Sequence, residues 1–283
     1  MLCKVKGGSF TIARVNEDAF GYAEDCAWVL DGSTGLNGKR LVAEADGSDA
    51  QWYAAAFSDF LKDNLPGSTQ PLPELFSRGV ETVWAEFLRR AGGRVERPDV
   101  PCAVGTAVRI RDGFLEYINV GDCVLLVRFQ DGSVAEYLDE TLCRLDESSI
   151  SHGLQIAREE NIPLSKCRQK LLPQLRRVRM LMNTPEGYIS LADDAQSVRK
   201  AICGKLSLTQ IRDICMVSDG FYEYYHMFRL ADGPKGFMDA AASEEPQKLF
   251  DRLLEAQKAD ADYRKHPRFK LSDDATIFYA CVE

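Results

Sequence analysis

Histidine is scarce in this chain of 283 residues: His152, His226 and His266 are the only three. They lie in dissimilar contexts, with no partner at helical spacing, so each reads as a surface or packing residue and not as a zinc ligand. Cysteine is present but unorganised. The nine cysteines are odd in number, scattered, and never spaced as Cys-x-x-Cys, which excludes a disulfide framework and points to reduced, mostly buried thiols in a reducing compartment. No apolar run is long enough to span a bilayer, and Met1 to Gly8 has no apolar core of the kind a signal peptide needs. Basic residues are in deficit, 35 Lys and Arg against 43 Asp and Glu, for a net charge of -8. That argues against a nucleic-acid partner, because counterion release needs clustered cations. A cytoplasmic, monomeric protein with no membrane or nucleic-acid partner is expected. There is no internal repeat and no low-complexity tract.

What is present is a series of short strand-like runs separated by helical stretches. Ser9 to Val15 and Cys26 to Leu30 read as strands. Ser48 to Leu65 and Glu74 to Arg90 carry apolar residues at helical spacing, and Pro66 and Pro71 to Pro73 part them into an antiparallel pair. Ala103 to Arg109, Phe114 to Val120, Val124 to Phe129 and Val134 to Leu138 form an expected meander, with turns at Asp112-Gly113, Gly121-Asp122 and Asp131-Gly132. A charge-rich helical segment follows over about 140–180. Strand character returns at Asp213 to Ser218 and Ala275 to Val282, around a last helix from Pro246 to Tyr263. Strands at both ends and in the middle, with helices grouped between them, indicate an antiparallel α+β sandwich.

Several apolar strands stop at an acid beside glycine: Leu30-Asp31-Gly32, Val120-Gly121-Asp122 and Ser218-Asp219-Gly220. Ser272-Asp273-Asp274 puts acids where the last strand begins, and Asn16-Glu17-Asp18 adds two carboxylates near the first. Any one such pair, Asp131-Gly132 and Asp232-Gly233 included, reads as a turn. The ordered set reads differently. Carboxylates converging on one point repel unless cations neutralise them, and an oxygen-only donor set suits Mg²⁺ or Mn²⁺.

The order Asn16-Glu17-Asp18, Asp31-Gly32, Gly105-Thr106-Ala107, Asn119-Val120-Gly121-Asp122, Ser218-Asp219-Gly220 and Asp273-Asp274-Ala275-Thr276 resembles the metal-dependent protein phosphatases of type 2C (the PPM family), as a divergent member. The match runs from about residue 5 to 282. The resemblance implies a four-layer α-β-β-α sandwich, two packed antiparallel sheets flanked by helices. It also implies a single domain over 1–283, with about 140–180 as a helical insertion or flap.

The resemblance further implies serine/threonine phosphatase activity on a phosphorylated protein, with two Mn²⁺ or Mg²⁺ ions and a third, weaker position. Asp31 would bridge the two metals, the Gly32 carbonyl would bind one, and Asp219 and Asp273 the other. Glu17 and Asp18 would hold metal-bound waters, and Asp122 and Glu223 match the positions of the third ion. Asp274 stands where the family often has Asn. Arg14 is the candidate phosphate anchor, one residue out of the family's spacing. Ser33 occupies the place of a histidine proposed to protonate the leaving oxygen, and a serine cannot act as a comparable acid near neutral pH.

Other phosphate chemistries fit less well. No cysteine has Arg six positions later, which excludes thiol catalysis. Gly32 to Lys39 is a P-loop only in outline, since its glycine spacing is one too long and Arg40 replaces the hydroxyl residue. The basic stretch from Lys166 to Arg179 reads first as a solvated helix face, and second as a patch steering a phosphorylated partner. Two rival functions stand: a catalytically weak or inactive binding module of the same fold, and a phosphatase of small phosphate monoesters.

Overall fold

The computed structural model describes residues 1–42 and 46–283. Ten strands form two five-stranded sheets. In chain order they are β1 (Leu2–Phe10), β2 (Ala19–Tyr22), β3 (Cys26–Ser33), β4 (Cys102–Arg111), β5 (Phe114–Val120), β6 (Val124–Phe129), β7 (Val134–Tyr137), β8 (Ile202–Ser207), β9 (Ile211–Val217) and β10 (Ala275–Val282). One sheet has the order β1-β10-β9-β6-β7 and the other β2-β3-β4-β5-β8. Every pairing is antiparallel.

The period-2 alternation of each strand decides the layering, because successive side chains leave opposite faces. Ala27 and Val29 of β3 point between the sheets, where they meet Leu125, Val127, Ile214, Met216 and Phe278 of the facing sheet. Trp28 and Leu30 point the other way, onto α1 (Asp49–Asn64) and α2 (Leu72–Arg90). In the facing sheet, Leu126, Cys215, Val217 and Ile277 turn outward onto α6 (Asp219–His226), α7 (Gly233–Ser243) and α8 (Pro246–Ala259). Three apolar clusters thus separate four layers, α-β-β-α, as expected. Full burial of side chains such as Phe57, Phe76 and Phe278 contributes roughly 1.5–3 kcal/mol each.

Between the sheets' strands run α3 (Glu140–Glu159), α4 (Arg168–Met180) and the short α5 (Ala195–Val198). The first two pack together through Ile150, Leu154, Leu164 and Leu171, and take Tyr263, Phe269 and Leu271 into the same cluster. Val178 and Met182 then pack on Val100 and Cys102, at the entry to β4. The 140–180 segment is therefore fastened at the sheet end where β3 stops.

Local signals explain the element ends. Ser48 caps α1, its Oγ accepting from the Gln51 N–H at 3.0 Å. Ser48→Ala should cost about 1 kcal/mol, read as a lower denaturation midpoint with an unchanged m-value. Some expectations shift. The first strand is Leu2–Phe10, because residues 12–15 bend away. The meander holds only in halves: β4 pairs with β5 and β6 with β7, but β5 and β6 belong to different sheets, so Gly121-Asp122 is a crossing between sheets and not a hairpin turn. The last helix ends at Ala259. β8 was invisible in the sequence because it is an edge strand of mixed exposure with no clean apolar alternation. Among the described residues no helix is long and apolar enough to cross a membrane.

Candidate metal centre

The acid-glycine pairs divide once their surroundings are known. A Cβ on Gly32 would lie 2.4 Å from the Glu17 carbonyl oxygen, and one on Gly220 would lie 2.0 Å from that of Asp274. Both are distances no real Cβ tolerates, so glycine is required there for the close approach of another backbone. Gly132 and Gly233 instead have left-handed φ of 82° and 64° with open space around them; they are turns. The two tight glycines adjoin Asp31 and Asp219, and the backbones pressed against them carry Glu17 and Asp274. Four chain segments are thus clamped together at one end of the sandwich.

Their carboxylates share one cleft of about 320 Å³, lined by Glu17, Asp31, Asp122, Asp219 and Asp273. Burial and then the charges of Asp219, Asp18, Asp273 and Asp122 push the Asp31 carboxyl well above the usual range. Asp219 is raised to about 6, by burial first and Asp273 second, while a hydrogen bond with Asp31 partly offsets this. Asp122 is also raised well above the usual range, through burial and then Asp219. Two buried oxygens, Asp18 Oδ1 and Asp219 Oδ1, have no hydrogen-bond partner. Crowded, desolvated carboxylates with unpartnered oxygens are what a hard divalent cation satisfies, so the donor set fits such an ion. The cage is not ready-made: among the described residues no three His, Cys, Asp or Glu side chains are grouped to hold a metal. The carboxylates engage protein cations in part, with Lys270 Nζ against Asp273 Oδ1. Although withdrawal from water opposes its charge, Asp273, Asp219 and Asp31 hold the Lys270 ammonium above the ordinary lysine range.

The remaining sequence candidates take different places. Asp18 does not line the cleft; it accepts from Ser218 Oγ at 2.8 Å and Thr276 Oγ1 at 2.7 Å, pinning the Asn16–Asp18 loop to β9 and β10. Glu17 is held from two sides, its N–H donating to Asp274 Oδ2 at 2.7 Å and its Oε1 accepting from Thr34 Oγ1 at 2.5 Å. Asp274 therefore orients Glu17. Glu223 lies one turn after Asp219 on α6, accepts from Gln257 Nε2 at 3.0 Å, and is raised to about 8, chiefly by burial; it too stays out of the cleft lining. Arg14 departs most. Its side chain is 75% exposed and pairs with Asp46, away from the cleft, because the chain bends outward after β1.

Three cleft residues were not singled out individually from sequence, Arg179 having been read only within the basic stretch. Asp146 on α3 is raised to about 7 by burial, then by Asp219 and Asp273. Lys270 precedes Asp273 by one turn's length of loop. Arg179, the last residue of the basic stretch, is only 6% exposed and hydrogen-bonds Ser33; the solvated-face reading fails for it. For Asp146 and Arg179, helical phase relative to an unseen partner was the only available signal.

At the level of sequence, no family model matches and no curated protein is similar. Solved structures do match over the whole chain. The serine/threonine phosphatase Stp1 from Staphylococcus aureus is 14% identical, with a TM-score of 0.57, covering 100% of this chain and 96% of that one. The protein has the PPM phosphatase fold. Its likeness extends to the PPM Ser-Thr phosphatase MsPP from Mycobacterium smegmatis, in complex with cacodylate (16% identity, TM-score 0.55, covering 100% and 99%). It extends also to the catalytic domain of the serine/threonine protein phosphatase PstP, in complex with two manganese ions (13% identity, TM-score 0.54, 100% and 99%). The clamped strand ends of this chain are thus built on the fold those phosphatases share.

Proposed function

We propose that this protein is a divalent-metal-dependent phosphatase acting on phosphoserine and phosphothreonine in proteins, as a cytoplasmic monomer of one domain with the 140–180 segment as a flap. The observation that carries the reading is the convergence of Asp31, Asp219, Asp273 and Asp122 on one cleft, with the Asp219 Oδ1 unpartnered. Asp31, at the centre of the carboxylate set, would hold both ions, with the Gly32 carbonyl on one and Asp219 and Asp273 on the other. Asp122, with Glu223 one helical turn after Asp219, would serve a third, weaker position. Bound there, Mn²⁺ or Mg²⁺ would supply Lewis-acid polarisation of phosphoryl oxygens and activation of water at neutral pH.

The chain's own residues do the rest. Strand ends fix the carboxylates, since Asp31 and Asp219 are held by backbones that Gly32 and Gly220 allow to touch. Glu17, oriented by Asp274 and Thr34, aims a fixed acceptor into the cleft for ordering water. Asp18, tied by two hydroxyls, holds that loop in register. Leu142, Leu175, Val178 and Phe269 on the rim restrict solvent and offer apolar contact to whatever carries the phosphate.

The test is hydrolysis of an aryl phosphate with Mn²⁺, then with excess chelator. Activity should depend wholly on the metal and return on its readdition. Turnover that survives chelation would sink the reading. A metal-loaded protein that is inert on aryl phosphate and phosphopeptide alike would instead indicate the binding module, and preference for small esters over phosphopeptides the small-molecule enzyme.

A further inference from the structure

Arg179 is an odd cation. It lines the cleft yet is 94% withdrawn from solvent, and among the described residues no carboxylate forms an ion pair with it. Its donors go to neutral acceptors: Nη1 to the carbonyls of Ser33 and Val100 at 3.3 and 3.2 Å, Nη2 to Ser33 Oγ at 2.6 Å and the Thr34 carbonyl at 3.2 Å. A guanidinium has five N–H groups, and four are thus committed to the end of β3, to Thr34 just after it and to Val100 at the entry to β4. Arg179 has its charge to offer the cleft but almost no donor.

Ser33 is the complement. Its Oγ accepts the short bond from Arg179, so its own O–H must point elsewhere. Among the described residues no protein acceptor receives it. Ser33 is solvent-exposed and lines the cleft. It is two residues beyond Asp31 on the same strand, so both side chains leave the same face. The register agrees: Asp31 faces Val104 and Ser33 faces Cys102 on β4, and both of those line the cleft as well. A hydroxyl that accepts from a cation is a stronger donor, because the two bonds polarise each other.

We propose that Ser33 is a phosphate-contacting residue, its hydroxyl held by Arg179 and donating a hydrogen bond to an anionic oxygen of the phosphate ester in the cleft. Arg179 is its positioning residue. The bond is a donation only; no proton is transferred and no covalent step occurs at Ser33. The other cleft cations are engaged, Lys270 with Asp273 and Arg168 with the Phe269 carbonyl. This inference rests on the phosphatase reading for its substrate, but its test does not need turnover.

The probe is inorganic phosphate, titrated calorimetrically into the Mn²⁺-loaded protein. A hydrogen bond to a charged group contributes about 1.5–3 kcal/mol, so Ser33→Ala should weaken phosphate binding roughly 10-fold or more. Ser33→Thr, which keeps the hydroxyl, should restore it to within about 3-fold, and Mn²⁺ affinity should be the same in all three. Arg179→Lys should weaken phosphate comparably, but add little in the Ser33→Ala background, since the two act as one unit. Unchanged phosphate affinity in Ser33→Ala overturns the proposal, as does a wild type that binds no phosphate. An Arg179→Lys effect that is fully additive to Ser33→Ala overturns the positioning role. Phosphate binding lost in Ser33→Ala supports the proposal even if no ester is hydrolysed, a result that would sink the phosphatase reading alone.

Discussion

Asp31→Asn should lower Mn²⁺-dependent turnover at least about 10³-fold, and in metal-free buffer at pH 7.5 it should raise the melting temperature. The two effects have one cause. Asp31 is half-buried, with Asp219, Asp18, Asp273 and Asp122 around it, so its charge is what a cation would need and what the bare fold resists. Removing one of the proposed ligands would forfeit several kcal/mol of charge stabilisation in the transition state, and each 1.36 kcal/mol is tenfold in rate.

The pH dependence follows from the same cluster. Asp219 has its folded pKa raised from 3.8 to about 6. A raised carboxyl means that the native state keeps a proton which the unfolded chain has already released. The contribution of this carboxyl to the stability of the metal-free protein is therefore greatest at the acidic side and falls as pH rises from about 4 through 6. A shift of that size corresponds to a loss on the order of 3 kcal/mol at neutral pH, which Asp219→Asn should largely recover. With Mn²⁺ the sign should reverse, because an ion at the proposed site would bind the ionised set and protonation would compete with it. Thermal melts between pH 5 and 8, with chelator and with Mn²⁺, should slope in opposite directions. Parallel slopes would count against a cation site at these residues.

Gly220→Ala should destabilise the fold by about 3 kcal/mol and weaken Mn²⁺ binding with it. The new Cβ would meet the Asp274 carbonyl oxygen at 2.0 Å and Ala275 Cα at 3.1 Å. Neither is the free end of a side chain, so α6 must move off the start of β10, breaking the Ser218 N–H to Thr276 carbonyl bond of 3.0 Å. Overpacking costs of this kind run to about 3 kcal/mol. Asp219 and Asp273 lie on the two segments being driven apart, which couples stability to metal affinity. Gly132→Ala is the control. Its φ of 82° costs an alanine roughly 1–2 kcal/mol, but nothing crowds it and Mn²⁺ affinity should not change. Equal loss of Mn²⁺ affinity in both variants would show that the clamp at Gly220 has no special role.

Much of the fold was legible because it depends on short-range pattern. The apolar runs of Val124–Phe129 and Ala275–Val282, the proline break between α1 and α2, and the helical spacing of α2 are properties of neighbouring residues. The meander misled for the same reason. Gly121 has the left-handed φ of a turn, yet the chain passes there from one sheet to the other, and no local signal separates a hairpin from a crossing.

The aspartates beside glycine show where sequence stops. By itself the sequence determined that Asp31, Asp122, Asp219 and Asp273 sit at strand ends, since the apolar runs before or after them dictate that. It also pointed to carboxylates and no histidine at the cleft, and those are the titratable groups that line it together with Cys102, Tyr188 and three cations. Only the tertiary structure decided which pairs are clamps and which are turns, because both ask for glycine and differ in what lies within 3 Å. Only it moved Arg14 out to solvent and brought Arg179, 146 residues away in sequence, onto Ser33. A side chain's charge is a local fact; the group it meets depends on packing between segments that the sequence separates.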